Sequence, residues 1–469
     1  MSVWNEVVRE IESFAADVGS LRVNEPLTPE SVRRDVESMV DFERAIPLDE
    51  LTRRVAVLLR QYTTHVTHPR YFGLFNPSVT TAGIVADTFA ALYNPQLATW
   101  SHAPAANEIE RATLRHLAVA LGLDPNCVFA NFTSGGAEAN MSAVLAALAH
   151  RFPEVADGGI GRLGAPPVIY VTSESHHSFV KIARMTGLGT RALCEVSVEP
   201  NFTLDVSALK DRMDADARAG RMPFMVVGTA GTTGGGFIDP LESIAALAAE
   251  RGVWFHVDAA WGGAAMLVPR LRPALTGIER ADSITWDAHK WLSAPMGAGM
   301  FFCRHAEAVQ RAFALTTSYM PPSAGEDFFE PYATTMQWSR RAIGLKVFMT
   351  IAELGLAGVS ARLDRQTVMG ERLRERLRAA GWSVVNDTVL PLVCFTHPDI
   401  IAGNISTGMV LDQIYARGRV WISDVVLGGR ERVLRACITS YRTGDEDLAC
   451  LIDEIERGRV AAAQSRAQE

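Results

Sequence analysis

The stretch SITWDAHKW, residues 283–291, places a run of β-branched and aromatic residues directly before His289 and Lys290. A second stretch, WFHVDAA at 254–260, has the same form, because an apolar run leads into Asp258. Short apolar runs of this length are typical of strands that are buried on both faces of a parallel sheet. The recurrence of this pattern along the chain decides the fold class.

The pattern recurs between residues 76 and 345, and helical stretches lie between the runs. The other candidate strands are CVFANFT at 127–133, PVIYVTS at 167–173, FMVVGTA at 224–230 and GMFFCR at 299–304. Helices are predicted over 138–150 and 239–252, where the apolar residues follow a helical period. Strands that alternate with helices predict an α/β fold with a mainly parallel sheet covered on both faces. In such a sheet the functional residues gather at the carboxyl ends of the strands.

The pattern divides the chain into three predicted regions. Residues 1–75 predict helices that pack on a larger body or on a second subunit. Residues 76–345 form the predicted large domain, and residues 346–469 predict a small C-terminal α/β domain. In that small domain we expect a final helix over 445–459 and a frayed tail, AAAQSRAQE, beyond it.

Composition and charge exclude several classes of protein. The chain has 469 residues and a net charge of −8, which argues against a nucleic-acid-binding surface. The six cysteines are scattered and form no C-x-x-C pair, so neither a disulfide framework nor a metal site is expected. The first residues carry charged side chains throughout, unlike a signal peptide, and no apolar run approaches the roughly 20 residues of a membrane span. We therefore expect a cytoplasmic protein.

The chain contains only four lysines, and Lys290 is the one that directly follows a predicted strand. Lys181, Lys210 and Lys346 lie on predicted helices. A lysine that acts as a nucleophile must lose its charge, and burial beside aromatic residues favours the neutral amine. Lys290 stands between a histidine and a tryptophan and is the candidate nucleophile. A lysine that merely caps a strand end would occupy the same position.

Two glycine-rich loops follow predicted strands and are candidate anion sites. TSGGAEAN at 133–140 lies between a strand and a strongly helical run, where free N–H groups at a helix start bind phosphate well. The second loop, GTAGTTGGG at 228–236, could add Thr232 or Thr233. An SGG turn taken alone is more often only a loop, so the anion site depends on its neighbours.

Asp258 and a histidine pair complete a set of groups that suits pyridoxal 5′-phosphate (PLP). This cofactor needs a carboxylate against its pyridine nitrogen, so that the ring stays protonated and accepts electrons. Asp258 is the candidate, and a helix cap is its alternative role. In SESHHSF at 173–179 an imidazole could stack on the ring. Because His176 and His177 are adjacent, at most one of them is expected to face the site.

Together, TSGGAEAN, SESHHS, HVDAAWGG and DAHKW resemble the group II PLP-dependent decarboxylases, which include the aromatic-L-amino-acid and glutamate decarboxylases. The similarity covers nearly the whole chain, from HPRYFG at 68–73 to LRACITSYRTGDEDL at 434–448. DAHKW and HVDAAWGG at this spacing are the specific part of the resemblance, whereas SGG alone is not specific. The resemblance points to a lyase that removes the carboxyl group of an L-amino acid, and aminotransferases are disfavoured by DAHKW.

The resemblance also implies a PLP-dependent transferase of fold type I that forms a homodimer with active sites at the subunit interface. Lys290 would hold PLP as a Schiff base, and Asp258 would pair with the pyridine nitrogen. The register of SESHHS places His177, rather than His176, over the ring. The remaining contacts with the cofactor would come from Ala260, Ser134, Gly135, Thr232 and His289.

In this family a mobile loop before an SRR segment carries a tyrosine that returns a proton to the substrate carbon. The corresponding loop is TTSYMPPSAGEDFFEPYATTMQWSRR at 316–341, in which Tyr332 falls closest to the expected position and Tyr319 is the alternative. The loop departs from the family pattern, and the residues that crowd the candidate are Phe328, Phe329 and Pro331. Relatives with a non-acidic residue in place of the tyrosine react with oxygen and release an aldehyde. Decarboxylation-coupled oxidative deamination is therefore the alternative reaction.

The substrate class is predicted from the segment RYFGLFNP at 70–77 and from Trp100, which would supply aromatic walls. Glutamate-type relatives have polar residues where this chain has Gly73, Leu74 and Phe75, so an aromatic or bulky apolar L-amino acid is expected. The same aromatic residues could instead be interface core. A PLP-fold protein without catalytic activity is the alternative from another class, and the retention of the lysine, aspartate and histidine together argues against it.

Overall fold

The structure, a computed structural model, describes residues 2–39, 41–315, 317–320, 325 and 330–466. The helices are α1 (Val3–Asp17), α2 (Pro29–Met39), α3 (Leu48–Tyr62), α4 (Thr81–Tyr93), α5 (Pro104–Ala120), α6 (Gly136–Arg151), α7 (Val155–Gly158), α8 (Ser178–Met185), α9 (Val206–Arg218), α10 (Leu241–Arg251), α11 (Ala306–Phe313), α12 (Gly344–Ala379), α13 (Pro398–Ile401), α14 (Thr407–Arg417) and α15 (Asp445–Arg466). The strands are β1 (Phe129–Thr133), β2 (Pro167–Thr172), β3 (Leu193–Val196), β4 (Met222–Thr229), β5 (Trp254–Asp258), β6 (Ser283–Asp287), β7 (Gly299–Cys303), β8 (Ser383–Val384), β9 (Leu392–Thr396), β10 (Ser423–Leu427) and β11 (Glu431–Cys437).

The large sheet has seven strands in the order β1-β7-β6-β5-β4-β2-β3. Strands β2 to β6 pair in parallel, and β7 lies antiparallel between β1 and β6. All six runs predicted as strands of the large domain belong to this sheet, and the predicted α/β fold with a mainly parallel sheet is confirmed. The additional edge strand, β3, was not predicted from the sequence. It has only four residues, one of which is the exposed Glu195, so it lacks the continuous apolar run seen in the other strands.

Helices cover both faces of the large sheet, and β5 shows how the strand residues divide between them. Phe255 and Val257 point to one face and pack in a core with residues of α10. Trp254 points to the other face and packs in a core with alanines of α6. Because side chains alternate along a strand, His256 and Asp258 lie on the same face as Trp254. A strand buried on both faces explains why β5 reads as an almost continuous apolar run.

The smaller sheet has the order β10-β11-β9-β8 and lies within the residues predicted to form the small C-terminal domain. Helices α14 and α15 pack with this sheet around a second core. The tail does not fray after residue 459 as expected, because α15 continues to Arg466. Ala462 is buried there, and the Arg466 guanidinium donates to the carbonyl of Gly403, so contacts with the small domain hold the last turns in place.

Helix α12 is the one described helix that is long and apolar enough, by length and composition alone, to cross a membrane. Gly355, with φ 64° and ψ 166°, interrupts its helical backbone and divides it into two helices. The first of these packs against α4 and α5 and buries Val347, as a core helix does.

Candidate active site

A cavity of about 230 Å³ opens at the carboxyl edge of the large sheet, between the ends of β4, β5 and β6 and the start of α6. The residues predicted from the sequence that line it are Ser134, Gly135, Asp258, Ala260, His289 and Lys290. A larger cavity of about 320 Å³ lies beside α5 and β1, and none of its described lining residues is a lysine. The cavity at the sheet edge is therefore the candidate active site.

Lys290 lies in the turn after β6, and 22% of its side chain is exposed. Its Nζ is 3.0 Å from Oδ2 of Asp287 and 5.8 Å from the ring centroid of Phe75. Asp287 is 1% exposed, and its Oδ1 has no hydrogen-bond partner among the described residues. Asp287 was not among the residues predicted for the site, although it opens the DAHKW motif and ends the strand that positions the lysine. The partly exposed amine and the buried carboxylate form an ion pair at the cavity wall.

Asp258 is the last residue of β5, and its side chain is 4% exposed. Its Oδ2 accepts a hydrogen bond from Nδ2 of Asn140 at 2.9 Å, and its Oδ1 accepts one from the backbone N–H of Ala260 at 3.1 Å. Asn140 belongs to α6 and also lines the cavity, although the sequence analysis did not identify it. Hydrogen bonds to both oxygens favour an ionised carboxylate at this wall.

Gly135 and Gly136 connect β1 to α6 where the backbone approaches Asp287. A Cβ at Gly136 would lie 2.8 Å from Oδ2 of Asp287, so no side chain fits there. The first N–H groups of α6 lack partners within the helix, as at every helix start. Ser134 lines the cavity too, but its N–H and its hydroxyl donate to Oε2 of Glu138 at 2.7 and 2.6 Å. The glycine turn therefore has the features of an anion site at a helix N-terminus.

The structure brings His176 to the cavity and leaves His177 outside its lining. His177 precedes α8 with helical backbone angles of −65° and −2°, and its side chain is exposed. His176 lies one residue earlier, where burial lowers the pKa of its imidazole against the opposing effect of the Asp258 carboxylate. Both histidines are exposed, but only His176 lines the cavity, because successive side chains at the start of a helix point in different directions. The placement of His177 over the cofactor stays a prediction, and His176 is the alternative candidate.

A similar distinction applies to the second glycine-rich loop. Thr233 lines the cavity, whereas Thr232 is fully buried within the loop. The N–H of Thr232 donates to the carbonyl of Phe237 at 2.8 Å, and its Oγ1 accepts from the N–H of Phe237 at 3.1 Å. Thr232 therefore closes the loop, and Thr233 replaces it as the candidate cofactor contact.

His289 follows the same strand as Lys290 and lines the cavity. Its Nδ1 accepts a hydrogen bond from the backbone N–H of Ala298 at 3.1 Å, and its Nε2 lies 3.9 Å from Oδ2 of Asp287. Burial lowers the pKa of His289, and the nearby Asp287 carboxylate opposes the shift. This hydrogen bond fixes the orientation of the imidazole beside Lys290.

Neither candidate tyrosine lies in the described lining of the cavity that contains Lys290. The N–H of Tyr332 donates to the carbonyl of Ala98 at 3.0 Å, and its ring lies 5.3 Å from that of Trp338. Tyr319 is 72% exposed and also lies near Trp338. Two of the residues expected to crowd Tyr332 lie outside the described residues: Phe328 and Phe329. The role of a loop tyrosine stays a prediction.

Phe75 is the aromatic residue of segment 70–77 that approaches the lysine. It is buried and stacks on Trp261, a lining residue, with 4.5 Å between ring centroids. Buried Arg435, in β11, lies 4.9 Å from the Phe75 ring and donates to the carbonyl of Gly73 at 2.7 Å. It also donates to the carbonyl of Thr233 at 3.2 Å, so this arginine joins the aromatic segment to the cavity loop. Arg435 was not predicted as a site residue. Its only distinguishing feature in the sequence is that it is a charged residue within an apolar strand.

Trp100, the other aromatic residue predicted to form a wall, lies outside the described lining of the cavity. Its indole N–H donates to Oε1 of Glu108 at 3.0 Å, and its backbone N–H donates to Oε2 of Glu330 at 2.7 Å. These contacts place Trp100 beside the segment that ends the tyrosine loop. A role for Trp100 in substrate binding stays a prediction.

The lining residues fit PLP. Three of their buried polar atoms have no hydrogen-bond partner within the described structure: Oγ1 of Thr229, Nε1 of Trp261 and Oδ1 of Asp287. Buried polar atoms are normally paired, so such a group of atoms is expected where a polar ligand binds. The cavity also combines a primary amine, a buried carboxylate and a glycine turn at a helix start, which match the aldehyde, the pyridine nitrogen and the phosphate of PLP.

Comparison with known proteins shows the same chemistry. The family described as "Pyridoxal-dependent decarboxylase conserved domain" matches residues 29–397. The chain is 29% identical to aromatic-L-amino-acid decarboxylase of Bacillus atrophaeus, over 84% of this chain and 82% of that protein. It is 31% identical to tyrosine decarboxylase of Oryza sativa subsp. japonica, over 83% and 75% of the two chains. Acidic amino acid decarboxylase GADL1 of Bos taurus is 27% identical, over 96% and 88%.

Solved structures show the same fold. The structure of Oryza sativa TDC with PLP and tryptamine superimposes with a TM-score of 0.91 at 24% identity, and covers 98% of this chain and 97% of that chain. The structure of Rhodiola rosea 4-hydroxyphenylacetaldehyde synthase superimposes with a TM-score of 0.87 at 22% identity, over 98% and 97%.

Replacement of Lys290 by alanine tests the candidate nucleophile. We expect Lys290→Ala to lose the visible absorbance of lysine-bound PLP and to lose turnover by several orders of magnitude, because no other described lysine lines the cavity. Absorbance spectra and CO₂ release measure the two effects. Lys210→Ala, on the exposed face of α9, is the matched control and should keep both. Retention of both by the Lys290 variant would refute the assignment.

The placement of the two histidines predicts different effects for two adjacent substitutions. We expect His176→Ala to weaken PLP binding and to lower turnover by about tenfold or more, because an imidazole is removed from the cavity wall. His177→Ala removes an exposed side chain and should change both by less than about twofold. Fluorescence titration with PLP and initial rates provide the comparison. The reverse order of effects would favour His177 as the site residue.

Proposed function

The chain belongs to the family of pyridoxal-dependent decarboxylases, and on this premise we propose that it converts an aromatic or bulky apolar L-amino acid to the amine and CO₂. The family establishes a PLP-dependent amino-acid decarboxylase, and the substrate class is the proposed part. The observation that carries the proposal is that Lys290, Asp258 and Trp261 line one cavity, and that Phe75 stacks on Trp261 with its ring centroid 5.8 Å from Nζ of Lys290.

Each residue of the cavity has a role in holding the cofactor or the substrate. Lys290 would hold PLP covalently through Nζ, and Asp258 would hold the proton on its pyridine nitrogen. The helix-start N–H groups of α6, together with Thr233 and His289, would bind the phosphate. When bound, PLP supplies a ring that accepts the electrons released as the carboxyl group leaves as CO₂. His176 would lie against the ring and restrict the orientation of the substrate.

Phe75 supports an aromatic or bulky apolar substrate. Its ring is held between Trp261 and Arg435 and lies next to Nζ of Lys290, so an apolar surface meets the reacting end of the cavity. A Cβ at Gly73 would lie 2.1 Å from an atom of Trp421, so a side chain at that position would require the indole to move. Relatives named for aromatic substrates are 29% and 31% identical to the chain, and one named for acidic substrates is 27% identical. The differences in sequence identity are small, so the aromatic residues beside Lys290 are the main support for an aromatic substrate.

We further propose that the enzyme is a homodimer with active sites at its subunit interface. None of the described side chains on α1, α2 or α3 is buried. Large apolar side chains on these helices and in the segment between α2 and α3 are well exposed, among them Trp4, Phe42, Val57 and Leu59, which are 65%, 97%, 60% and 62% exposed. An apolar surface of this extent on a water-soluble protein is expected to be covered by a partner. A second copy of the chain would cover it and bring its own tyrosine loop to the cavity.

In this dimer the phenol of Tyr332 from the partner would donate a proton to the substrate Cα. Such a role is consistent with the position of Tyr332 outside the cavity of its own chain. If no tyrosine reaches Cα, the alternative reaction on the same scaffold consumes O₂ and H₂O and releases the aldehyde, CO₂, NH₃ and H₂O₂. The solved aldehyde synthase has the same fold and illustrates that both outcomes are compatible with it.

A panel of L-amino acids tests the substrate class and the product together. We expect kcat/KM for phenylalanine, tyrosine or tryptophan to exceed that for glutamate by about tenfold or more, because a carboxylate side chain would be desolvated against Phe75. Mass spectrometry should find one amine per CO₂ and no peroxide. Higher kcat/KM for glutamate would overturn the substrate class. An equimolar yield of aldehyde and peroxide would establish the alternative reaction.

Mixing two inactive variants tests the interface site. Lys290→Ala and Tyr332→Phe should each lack amine formation as homodimers. A mixed dimer retains one complete site if Lys290 and Tyr332 come from different subunits, so equal mixing after subunit exchange should restore about a quarter of the wild-type activity. Light scattering measures the mass of the assembly. A monomeric mass, or a failure of the mixture to regain activity despite exchange, would contradict the proposal.

A further inference from the structure

A continuous chain of hydrogen-bonded side chains leads away from Asp258 into the sheet. His256 lies two residues earlier on the same face of β5, and its Nε2 is 3.0 Å from Oδ1 of Asn140. Its Nδ1 is 2.9 Å from Oγ of Ser283, which in turn lies 2.9 Å from Nε1 of Trp254. The amide of Asn140 completes the connection to Asp258 at 2.9 Å. These five side chains therefore form one line between the cavity and the opposite edge of the sheet.

The groups at the two ends determine the direction of every hydrogen bond in this line. The indole of Trp254 can only donate, and an ionised Asp258 can only accept. Ser283 accepts from Trp254, so its hydroxyl proton is available to Nδ1 of His256. The other ring nitrogen of His256 then carries the proton and donates to the Asn140 carbonyl. The Asn140 NH₂ group is left to point at the carboxylate.

The state of His256 is consistent with this single arrangement. The side chain is fully buried, and burial lowers its pKa to about 4 against the opposing effect of Asp258. The ring is therefore neutral near neutral pH and has one N–H to give. The groups packed around it are uncharged apart from Asp258: Ser283 of β6, Asn140 of α6 and the ring of Phe179, from α8, at 6.1 Å. The other titratable residues that line the cavity with Asp258 are His176, Asp287, His289 and Lys290.

We propose that Asn140, His256 and Ser283 are positioning residues that direct one amide donor at Asp258 and so keep this carboxylate ionised and oriented toward the pyridine nitrogen of PLP. The proposal rests on the function assigned above. An asparagine amide can rotate by half a turn and present its oxygen instead of its NH₂ group. The N–H of His256 prevents that rotation, because it needs the amide oxygen on its own side. Without this N–H, the amide keeps only the contacts of its NH₂ group, with Asp258 and with the Ser178 hydroxyl at 3.2 Å, so its donor is less firmly directed at the carboxylate.

The protonation of the cofactor nitrogen is the property to measure, because a role in packing alone would not change it. PLP labelled with ¹⁵N in the ring is loaded onto the full-length protein, and the ¹⁵N chemical shift is followed between about pH 6 and pH 9. The affinity for PLP is measured on the same samples by absorbance titration. In the wild-type protein the nitrogen should stay protonated over this range.

Four substitutions distinguish the effect of the hydrogen-bonded line from Asn140 to Trp254 from the effect of other buried side chains. His256→Leu removes the N–H and should weaken PLP binding by about tenfold and let the ring nitrogen lose its proton within the range. His256→Gln places an amide N–H near the same point and should recover most of both properties. Ser283→Ala should shift both in the same direction as His256→Leu, but less. Thr285→Val removes a buried hydroxyl that has no hydrogen-bond partner among the described residues, in the same strand as Ser283, and should match the wild type.

The outcomes are distinguishable. An unchanged ¹⁵N titration and PLP affinity in His256→Leu would overturn the proposal, as would equal changes in Ser283→Ala and Thr285→Val. If His256→Leu fails to fold by circular dichroism, the comparison of Ser283→Ala with Thr285→Val decides the matter alone. A wild-type protein that takes up no PLP would instead refute the proposed function, which is a separate result.

Discussion

A carboxylate in the protein interior must be hydrogen-bonded or paired with a cation, because its desolvation is otherwise unfavourable by several kcal/mol. Asp258 is 4% exposed, and its two oxygens accept hydrogen bonds from Asn140 and from the backbone of Ala260. For Asp258 to accept these hydrogen bonds, β5 must end at the cavity, and α6 must pass close enough to β5 for Asn140 to reach the carboxylate. The geometry of the active site follows from that requirement.

Helix α6 serves the site twice. It begins at Gly136, directly after Gly135, and the absence of a side chain at Gly136 lets the backbone approach Asp287 closely. One turn further along, its Asn140 reaches Asp258. The helix therefore joins the phosphate end of the cavity to the end that holds the pyridine nitrogen. Because both contacts belong to one rigid element, the distance between them is set by the helix and not by a flexible loop.

Two of the predicted site residues lie next in sequence to the residue that lines the cavity. His176 lines it and His177 does not, and Thr233 lines it and Thr232 does not. In both cases the motif was recognised in the sequence, but the side chain that faces the cavity depends on how the backbone turns after the strand. His177 has already entered the helical conformation, and Thr232 is used to close its own loop. Two adjacent polar residues of a motif are equally good candidates in the sequence. The conformation of the turn decides which of their side chains faces the cavity.

The sequence by itself determined the fold class and the six main strands of the large sheet, and it predicted Lys290 and Asp258, which the structure places at one cavity. These features depend on local composition and on the rule that strand ends share one edge, so they need no knowledge of distant contacts. Only the tertiary structure decided which histidine and threonine face the cavity, and it alone revealed Asp287, Arg435, and the line from Asn140 to Trp254. Those contacts join side chains that are far apart in the chain, such as Asn140 and His256, and hydrogen bonds form between neighbours in space whatever their separation in sequence.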